Sequence, residues 1–417
     1  MLPSFNDESL ASSLNNFYTR FDDRNFDKEN ITFCRNLNSE NCPVNITVEE
    51  VIKLFRKTKI RKAAGPDGLA GILIRECATQ IAPVFQYIFQ LSLRQCVIPS
   101  IWKHSLIIPI PKSSTVSNLN DYRPIALTSL IMKCLERFVV NQIKPVKEPK
   151  LDPMQFAYRA HRGVEDATAT LVHYTKKHLE TSNSYARLLF IDFSSAFNTL
   201  QSHVLLPKLL KFGLCSLTLA VIVYTNDCRT LTENCMAIKY ADDTVLVSLN
   251  NGPQSLNNYL NDVTYFSNWC KNHFLKINLK KTCELIIDFR KKNRSDREPL
   301  NIDGEQIKVV PEYKYLGTVI DEKYEWSSNT LRLYKKDQQR LHMLRQLRKF
   351  NVDKEILEIF YQSMILSVIS FCRIIWEASL YEKDKGLLAK ITKRAGRAIG
   401  VDSSKLNLKY NAGVLSM

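Results

Sequence analysis

The chain has 417 residues, of which 45% are hydrophobic and 24% charged, and its formal net charge is +16. This composition is globular and excludes a collagen-like or low-complexity chain, and the positive charge favours a polyanionic partner such as nucleic acid over a surface kept basic for solubility. The 11 cysteines include no C-x-x-C pair, which argues against a zinc ribbon or a disulfide framework. We find no signal peptide and no transmembrane segment, so we expect an intracellular protein, cytoplasmic or nuclear.

The N-terminal part of the chain changes character at Thr47. Residues 1–46 are polar and rich in Asn and Asp, and we interpret them as a loosely packed lead-in. Thr47 and Glu50 have the spacing of a capping box, and the apolar residues that follow predict a short helix. A Gly-Pro-Asp-Gly turn comes next. Residues 73–93 have helical periodicity, and Pro83 should kink or split that helix.

Strand and helix patterns alternate through the middle of the chain. Residues 105–111 predict an edge strand that ends in proline, and residues 188–192 predict a short buried strand. Further strands are predicted at 236–240, 244–249, 284–289 and 315–320, and helices at 132–143, 167–179, 205–212, 256–272 and, for the most part, from Leu331 onward. This alternation indicates an α+β or α/β core.

An acidic pair, Asp242 and Asp243, lies between two of these predicted strands. Adjacent carboxylates repel each other, and a nearby cation relieves the repulsion. A third acid, Asp192, follows the buried strand at 188–192, where sheets of this kind place chemistry. Alone, the pair would be a polar turn and Asp192 a helix N-cap. Together, the three favour a metal site for phosphoryl transfer.

Several segments resemble the conserved boxes of reverse transcriptases. Residues 240–243, Tyr-Ala-Asp-Asp, are similar to the Y/F-x-D-D box, and residues 190–197, Phe-Ile-Asp-Phe-Ser-Ser-Ala-Phe, resemble the first catalytic box in its non-LTR form. Five other segments match in the family's order, at 61–68, 120–128, 155–167, 275–282 and 313–317. Over residues 45–400 the chain therefore resembles the reverse transcriptase of a non-LTR, LINE-type retrotransposon.

The resemblance implies an α+β right-hand architecture and RNA-directed DNA synthesis. It implies a polar lead-in at 1–46, a fingers-like region at 47–187, a palm at 188–320 and a truncated, helical thumb-like region at 321–417. It also implies an RNA template, a DNA primer, deoxynucleoside triphosphates and two Mg²⁺ ions. Oligomeric state is left open.

Roles for individual residues follow from the same resemblance. Asp192 and Asp242 would bind both metals, and Asp243 would support the site. Phe197 would be a steric gate against the ribose 2′-OH, or a core residue. Arg123 would contact the triphosphate or a template phosphate, or form a structural salt bridge. Lys281 is either a proton donor to the leaving pyrophosphate or a solvated lysine. Primer or template contacts would fall on Tyr315, Leu316, Gly317, Arg332, Lys336 and Arg340, the last three forming one helix face that is either a backbone-tracking surface or simply solvated.

The chain departs from the family between Gly213 and Met236. A box with a Pro-Gln-Gly core, which supports the nascent base pair in the family, is missing there. We expect an internally deleted fragment whose polymerase activity is weak or absent, because phosphoryl transfer depends on positioning. Endonuclease-like and Cys/His-knuckle segments are also missing, which suggests a piece of a longer polyprotein. The alternatives are a non-catalytic nucleic-acid-binding remnant and a product that folds poorly.

Overall fold

The structure is a computed structural model, and it divides into two units. It describes residues 7–20, 45–95, 97–112, 115–147, 151–194, 200–201, 204–205, 207–208, 224–291 and 298–402. One unit comprises the described residues of Met1–Leu151 and Phe197–Tyr224, and the other those of Asp152–Ala196 and Thr225–Met417. The predicted gate Phe197, most of the helix at 205–212 and most of the region that lacks the Pro-Gln-Gly box lie outside the described residues.

The first unit combines helices with a two-stranded hairpin. Its elements are α1 (Asp7–Thr19), α2 (Val48–Arg56), α3 (Gly71–Glu76), α4 (Ala78–Gln95), α5 (Ser100–Lys103), β1 (Ser105–Pro111), a 3₁₀ turn (Leu119–Asp121), β2 (Tyr122–Thr128) and α6 (Leu130–Lys147). Phe55, Phe89 and Trp102 form its aromatic core with edge-to-face contacts at ring-centroid distances of 6.5 and 5.8 Å. Aromatic pairs favour this arrangement because the ring edge is positive and the face negative.

The start of α2 confirms the predicted capping box. The hydroxyl of Thr47 accepts a hydrogen bond from the Glu50 amide at 3.3 Å, and the Glu50 carboxylate accepts one from the Thr47 amide at 3.0 Å. The predicted split in the next helical region is present, but it lies at Cys77, between α3 and α4. Pro83 lies inside α4, so the predicted split at Pro83 is wrong.

The second unit is built on a five-stranded sheet. Its elements are α7 (Val164–Leu179), β3 (Tyr185–Ile191), β4 (Cys235–Tyr240), β5 (Asp243–Asn250), α8 (Pro253–Asn272), β6 (Cys283–Ile287), β7 (Asn301–Ile302), β8 (Glu305–Gln306), β9 (Lys308–Val309), β10 (Glu312–Tyr315), β11 (Thr318–Asp321), α9 (Ser327–Lys349), α10 (Lys354–Phe360), a π-helical turn (Tyr361–Leu366), α11 (Ser367–Ile369), α12 (Arg373–Trp376), a 3₁₀ turn (Glu377–Ser379) and α13 (Glu382–Ile399). The sheet order is β4-β5-β3-β6-β9, and only the β6–β9 pair is parallel. Strand β3 is central and buried along its whole length, as its nearly continuous apolar run predicts.

The predicted single strand at 315–320 is wrong, because a hairpin replaces it. Strands β10 and β11 pair antiparallel with Tyr315 opposite Thr318, which leaves Leu316 and Gly317 as a two-residue turn. Both have positive φ, 46° and 101°, which is the requirement of a type I′ turn. A Cβ on Gly317 would also lie 3.0 Å from the ring of Phe371, so glycine is needed there for space as well as for conformation.

The prediction of a mostly helical region after Leu331 is confirmed, as is a mixed helix and sheet fold. Leu341, Leu344, Leu357 and Ile391 on helices α9, α10 and α13 share one buried cluster. Among the described residues no single helix could cross a membrane. One bent pair, Lys354–Ile369 with Arg373–Ser379, meets the criterion by length and composition only.

Candidate active site

Strand register brings the three predicted acids to one end of the sheet. Strand β3 ends at Ile191, which pairs with Thr244 on β5, so Asp192 follows directly beside the start of β5. Tyr240 pairs with Asp243 across the β4–β5 hairpin. Its two turn residues are Ala241, with a φ of 57°, and Asp242. The tight turn therefore presents the acidic pair next to Asp192.

The electrostatics of Asp243 confirm that these carboxylates affect one another. Its side chain reaches solvent, but surrounding protein removes part of its hydration and raises its pKa. The negative charges of Asp242 and Asp192 raise that pKa further. Ionising all three groups together is unfavourable, and the free energy falls if a cation is bound among them.

The donor set fits a divalent cation in its chemistry. Mg²⁺ prefers carboxylate oxygens and is held through one or two carboxylates together with water and substrate phosphates. Within the described ranges, no three His, Cys, Asp or Glu side chains are close enough together to hold a metal ion. The acids thus form an acidic cluster rather than a preassembled three-ligand cage.

The predicted proton donor Lys281 lies beside this cluster. Its Nζ is 3.9 Å from Oδ2 of Asp192, and its side chain is 71% exposed. Backbone contacts tie its segment to the end of β3: the Asn278 amide donates to the Asp192 carbonyl at 2.8 Å, and the Ser194 amide donates to the Lys276 carbonyl at 2.8 Å. Lys281 is therefore held close to Asp192 while its amine remains open to solvent.

Comparison of the sequence with known proteins finds similarity to reverse transcriptases. Residues 110–232 match the family described as reverse transcriptase (RNA-dependent DNA polymerase). The chain is 25% identical over 335 residues, 68% of its length, to the RNA-directed DNA polymerase from mobile element jockey of Drosophila melanogaster, and 24% identical over 359 residues, 72% of its length, to the probable RNA-directed DNA polymerase from transposon BS of the same species. Over 171 residues, 40% of the chain, it is 30% identical to the retrovirus-related Pol polyprotein from type-1 retrotransposable element R1 of Bradysia coprophila, of which it covers 17%.

The chain is thus similar to reverse transcriptases of the non-LTR retrotransposon type. It spans 36% and 38% of the jockey and BS proteins. Residues 326–367, in the helical C-terminal part, also match a family described as alkylated DNA repair protein alkB homolog 8, N-terminal.

A buried lysine that we did not predict supports the β4–β5 hairpin, which carries the acidic pair. Lys239 on β4 is only 1% exposed, and its Nζ lies 2.6 Å from Oδ2 of Asp152. The same nitrogen donates to the carbonyls of Thr225 and Cys228 at 2.8 and 2.7 Å. A buried ammonium is stable only when paired and hydrogen-bonded in this way. Its signal in the sequence is a lone charge between Ile238 and Tyr240 on a predicted strand.

The segment around Gln155, which resembles a family box in its sequence, lies along the outer edge of β4. The Phe156 amide donates to the Lys239 carbonyl, and the Lys239 amide donates to the Met154 carbonyl, both at 2.9 Å. Oε1 of Gln155 accepts from the Ala241 amide at 3.3 Å, inside the turn that carries the acids. These bonds pair backbone groups at the edge of β4 and restrain the turn, so the 154–156 segment positions the acidic pair.

Tyr313 is a further side chain near the acids. Its ring stacks on Phe190 with centroids 3.9 Å apart and planes 12° from parallel. Burial, together with the charges of Asp243, Cys283 and Asp192, raises the pKa of Tyr313 to about 12. The sequence placed Tyr313 in the 313–317 segment but indicated no contact with the centre of the sheet.

The residues predicted to contact primer or template differ in burial and in their hydrogen bonds. Tyr315 is buried in the core, and burial raises its pKa. Leu316 and Gly317 form the partly exposed β10–β11 turn. The guanidinium of Arg332 donates to the Gly317 carbonyl. Contact of these residues with primer or template stays a prediction.

Two more predicted positions complete the description. The guanidinium of Arg340 donates to the Met364 carbonyl, whereas Lys336 on the same helix is exposed. Arg123 is exposed on β2, opposite Ile110, and within the described ranges it forms no ion pair. The structural salt bridge that was the alternative role of Arg123 is thus not seen there.

Proposed function

We propose that this chain carries an RNA-directed DNA polymerase site centred on Asp192, Asp242 and Asp243. The observation that carries the proposal is the β3–β5–β4 register, which brings two separate motifs of the sequence to one sheet end. The family implies a nucleic-acid template and primer, and the net charge of +16 suits such a partner. Nucleotide addition needs carboxylates at this position, because they hold the cations that balance the triphosphate charge.

In this proposal Asp192 and Asp242 hold two Mg²⁺ ions and Asp243 supports them. Bound Mg²⁺ would activate the primer hydroxyl and stabilise the leaving group. Lys281, 3.9 Å from Asp192, is suited to protonate the leaving pyrophosphate, because its amine is exposed beside the acids. Arg123, with no ion pair among the described residues, would contact a phosphate. Phe197 keeps its role as the proposed steric gate.

The regional assignment belongs to the same proposal. Residues 188–320, with the five-stranded sheet, would be the palm, and residues 47–187 the fingers. The helices from 321 onward would be the thumb, with Lys336 open to a nucleic-acid backbone and Arg332 and Arg340 contributing through the segments to which they donate. Residues 315–317 would contact the primer through the turn, since the ring of Tyr315 is buried.

A second candidate function is a nucleic-acid-binding remnant without polymerase activity. The observation that favours it is the missing Pro-Gln-Gly box between Gly213 and Met236. A preserved acidic cluster without support for the nascent base pair would bind cations but align substrates poorly. This candidate and the first share the metal site and differ in turnover.

Primer extension on a poly(rA)/oligo(dT) template with Mg²⁺ tests the first candidate. We expect at most weak extension by the natural chain, because the Pro-Gln-Gly box is missing, and none above background by Asp242→Ala/Asp243→Ala, because the cations lose their ligands. The matched control is Asp303→Ala/Glu305→Ala, which removes two exposed acids from the β7–β8 turn and should leave extension unchanged.

Cation binding is read separately from turnover. Tb³⁺ can replace Mg²⁺ on carboxylates, and its luminescence is excited through nearby tyrosines such as Tyr313. The natural chain should give a signal that Mg²⁺ displaces and that Asp242→Ala/Asp243→Ala lacks. A signal without extension from a folded, duplex-binding protein would favour the remnant. Absence of both would contradict the metal site.

A further inference from the structure

A small cavity in the first unit is lined by positive side chains. Its volume is about 70 Å³, and it lies between the end of α2 and the first turns of α6. The cations around it are Lys57, Lys59, Lys62, Lys133 and Arg137. We call it the α2–α6 cation cavity. Among the described residues, no acidic and no aromatic side chain lines it.

The backbone that carries these lysines is held in place by two close approaches. A Cβ on Gly71 would lie 2.4 Å from the Lys59 carbonyl, and a Cβ on Gly65 would lie 2.5 Å from the Ser129 amide. Neither position accepts a side chain without a shift of the backbone. The hydroxyl of Ser129 donates to Asp67 and accepts from the Met132 amide at 3.2 Å, which caps α6. The loop of residues 57–71 is therefore fixed against the start of α6.

The charges of this cavity are not neutralised by the protein. None of the five cations has a carboxylate within ion-pairing distance in the described part of the chain. The one side-chain hydrogen bond that these cations make to described residues runs from Lys133 Nζ to the Thr128 carbonyl at 3.5 Å. Glu136 on α6 is the acid that interacts with Lys133, and burial raises its pKa. Like charges around one small space repel each other, so an anion that enters it is bound favourably.

The floor of the cavity is small and polar. Thr58 Oγ1 and Cys134 Sγ lie 3.8 Å apart, and both side chains are buried. Burial raises the pKa of the Cys134 thiol, and the hydrogen bond with Thr58 and the nearby charges of Arg137 and Lys62 partly offset that rise. About 10–15 Å³ of cavity volume holds one water molecule, so the cavity of about 70 Å³ has room for a small anion such as a phosphate group.

We propose that the α2–α6 cation cavity binds a phosphate group of a nucleic-acid backbone. Lysine provides point charges for phosphate and arginine provides a planar fork, and both are present. Because no aromatic side chain lines the cavity, the contact reads the backbone and not the bases. This inference rests on the proposed function for the identity of the strand, and it adds an anchoring point outside the acidic cluster.

The test is the salt dependence of nucleic-acid binding by Lys62→Gln/Arg137→Gln. The matched control is Arg94→Gln/Lys103→Gln, which removes the same charge from exposed positions on α4 and α5 that do not line the cavity. Fluorescence anisotropy with a labelled RNA/DNA duplex, without nucleotides, gives Kd at several salt concentrations. We expect the cavity variant to bind on the order of tenfold more weakly and its log–log salt slope to fall by about 1, with the control slope unchanged.

Each outcome either supports or overturns the inference. Equal slopes for the two double variants, both folded by thermal unfolding, would overturn it. Binding of inorganic phosphate in ³¹P NMR that the cavity variant loses, while the duplex slope stays that of the natural chain, would show a free-anion site and overturn the nucleic-acid assignment. Because the assay needs no turnover, a chain inactive in primer extension would still show the slope change if the inference holds.

Discussion

Charged side chains are paired to different extents at the two ends of the central sheet. Toward the beginning of β3, Arg187 is 2% exposed and Glu284 on β6 is fully buried. Their two bonds, Nε to Oε1 and Nη2 to Oε2, measure 2.8 and 2.7 Å. The Tyr259 hydroxyl donates to Oε1 at 2.7 Å, and Nη2 also donates to the Glu298 carbonyl at 2.9 Å. Both buried charged groups described here, Arg187 and Glu284, therefore have partners.

At the other end, acids outnumber cations. Among the described residues, Lys281 forms an ion pair with Asp192 at 3.9 Å and is largely in solvent, and no ion pair is seen for Asp242 or Asp243. Burial raises the pKa of Asp243, and the charges of Asp242 and Asp192 raise it further. The Arg187–Glu284 pair shows that an acid in this same sheet can be fully enclosed and paired with a cation. The cation proposed for the acidic end would relieve this imbalance.

Breaking the satisfied end should have the largest effect on stability. Arg187→Met leaves the Glu284 carboxylate buried without its partner, and we expect the free energy of unfolding to fall by about 3–5 kcal/mol. Urea denaturation measures it. The matched control Lys271→Met breaks an exposed pair with Asp303 and should cost no more than about 1 kcal/mol. Similar losses for the two variants would contradict the contrast between the two ends.

Local patterns in the sequence were enough to predict much of this architecture. The capping box at Thr47 specifies its helix start through residues three apart. The apolar runs on either side of Asp242 predict two strands, and a hairpin is the only short connection between them. The position of Asp192 at the end of a buried strand follows in the same way.

The parts that escaped prediction depend on distant or weak signals. Lys239 is held by Asp152, far earlier in the chain, and no local periodicity reports such a pair. The β10–β11 hairpin was missed because Leu-Gly is a weak turn signal beside Asn-Gly, and only the backbone shows the positive φ of Leu316. Tyr313 reaches the centre of the sheet through that same hairpin.

An unpaired acid away from the acidic cluster sharpens the comparison. Asp337 on α9 is fully buried, and neither carboxylate oxygen has a hydrogen-bond partner in the described part of the chain. Burial raises its pKa to about 7, although Arg340 and Lys336 lower it. Since the folded pKa lies above the ordinary value, the folded state holds the proton longer, and stability falls as pH rises from about 4 to about 7.

Asp337→Asn removes this titration. We expect the variant to exceed the natural chain in free energy of unfolding by more at pH 8 than at pH 5, with a difference on the order of 1–3 kcal/mol. Urea denaturation at the two pH values, with and without Mg²⁺, measures it. The exposed variant Asp303→Asn is the control. A gain that Mg²⁺ abolishes would mean that Asp337 is itself a cation ligand, and the charge imbalance would then not be particular to the sheet end.

The smallest expected effect belongs to Asp243→Asn, and here Mg²⁺ should reverse the sign. Without a divalent cation, the variant removes a carboxylate whose pKa is raised by burial and by Asp242 and Asp192, so it should be slightly more stable above pH 5. The gain should be a few tenths of a kcal/mol, because solvent screens an exposed group. With Mg²⁺, the natural chain binds the cation more tightly in its folded state and gains more. Thermal unfolding with and without Mg²⁺ checks this crossing. If Mg²⁺ raises the melting temperatures of the natural chain and of Asp243→Asn equally, Asp243 does not support the cation. Asp192 and Asp242 alone would then bind it.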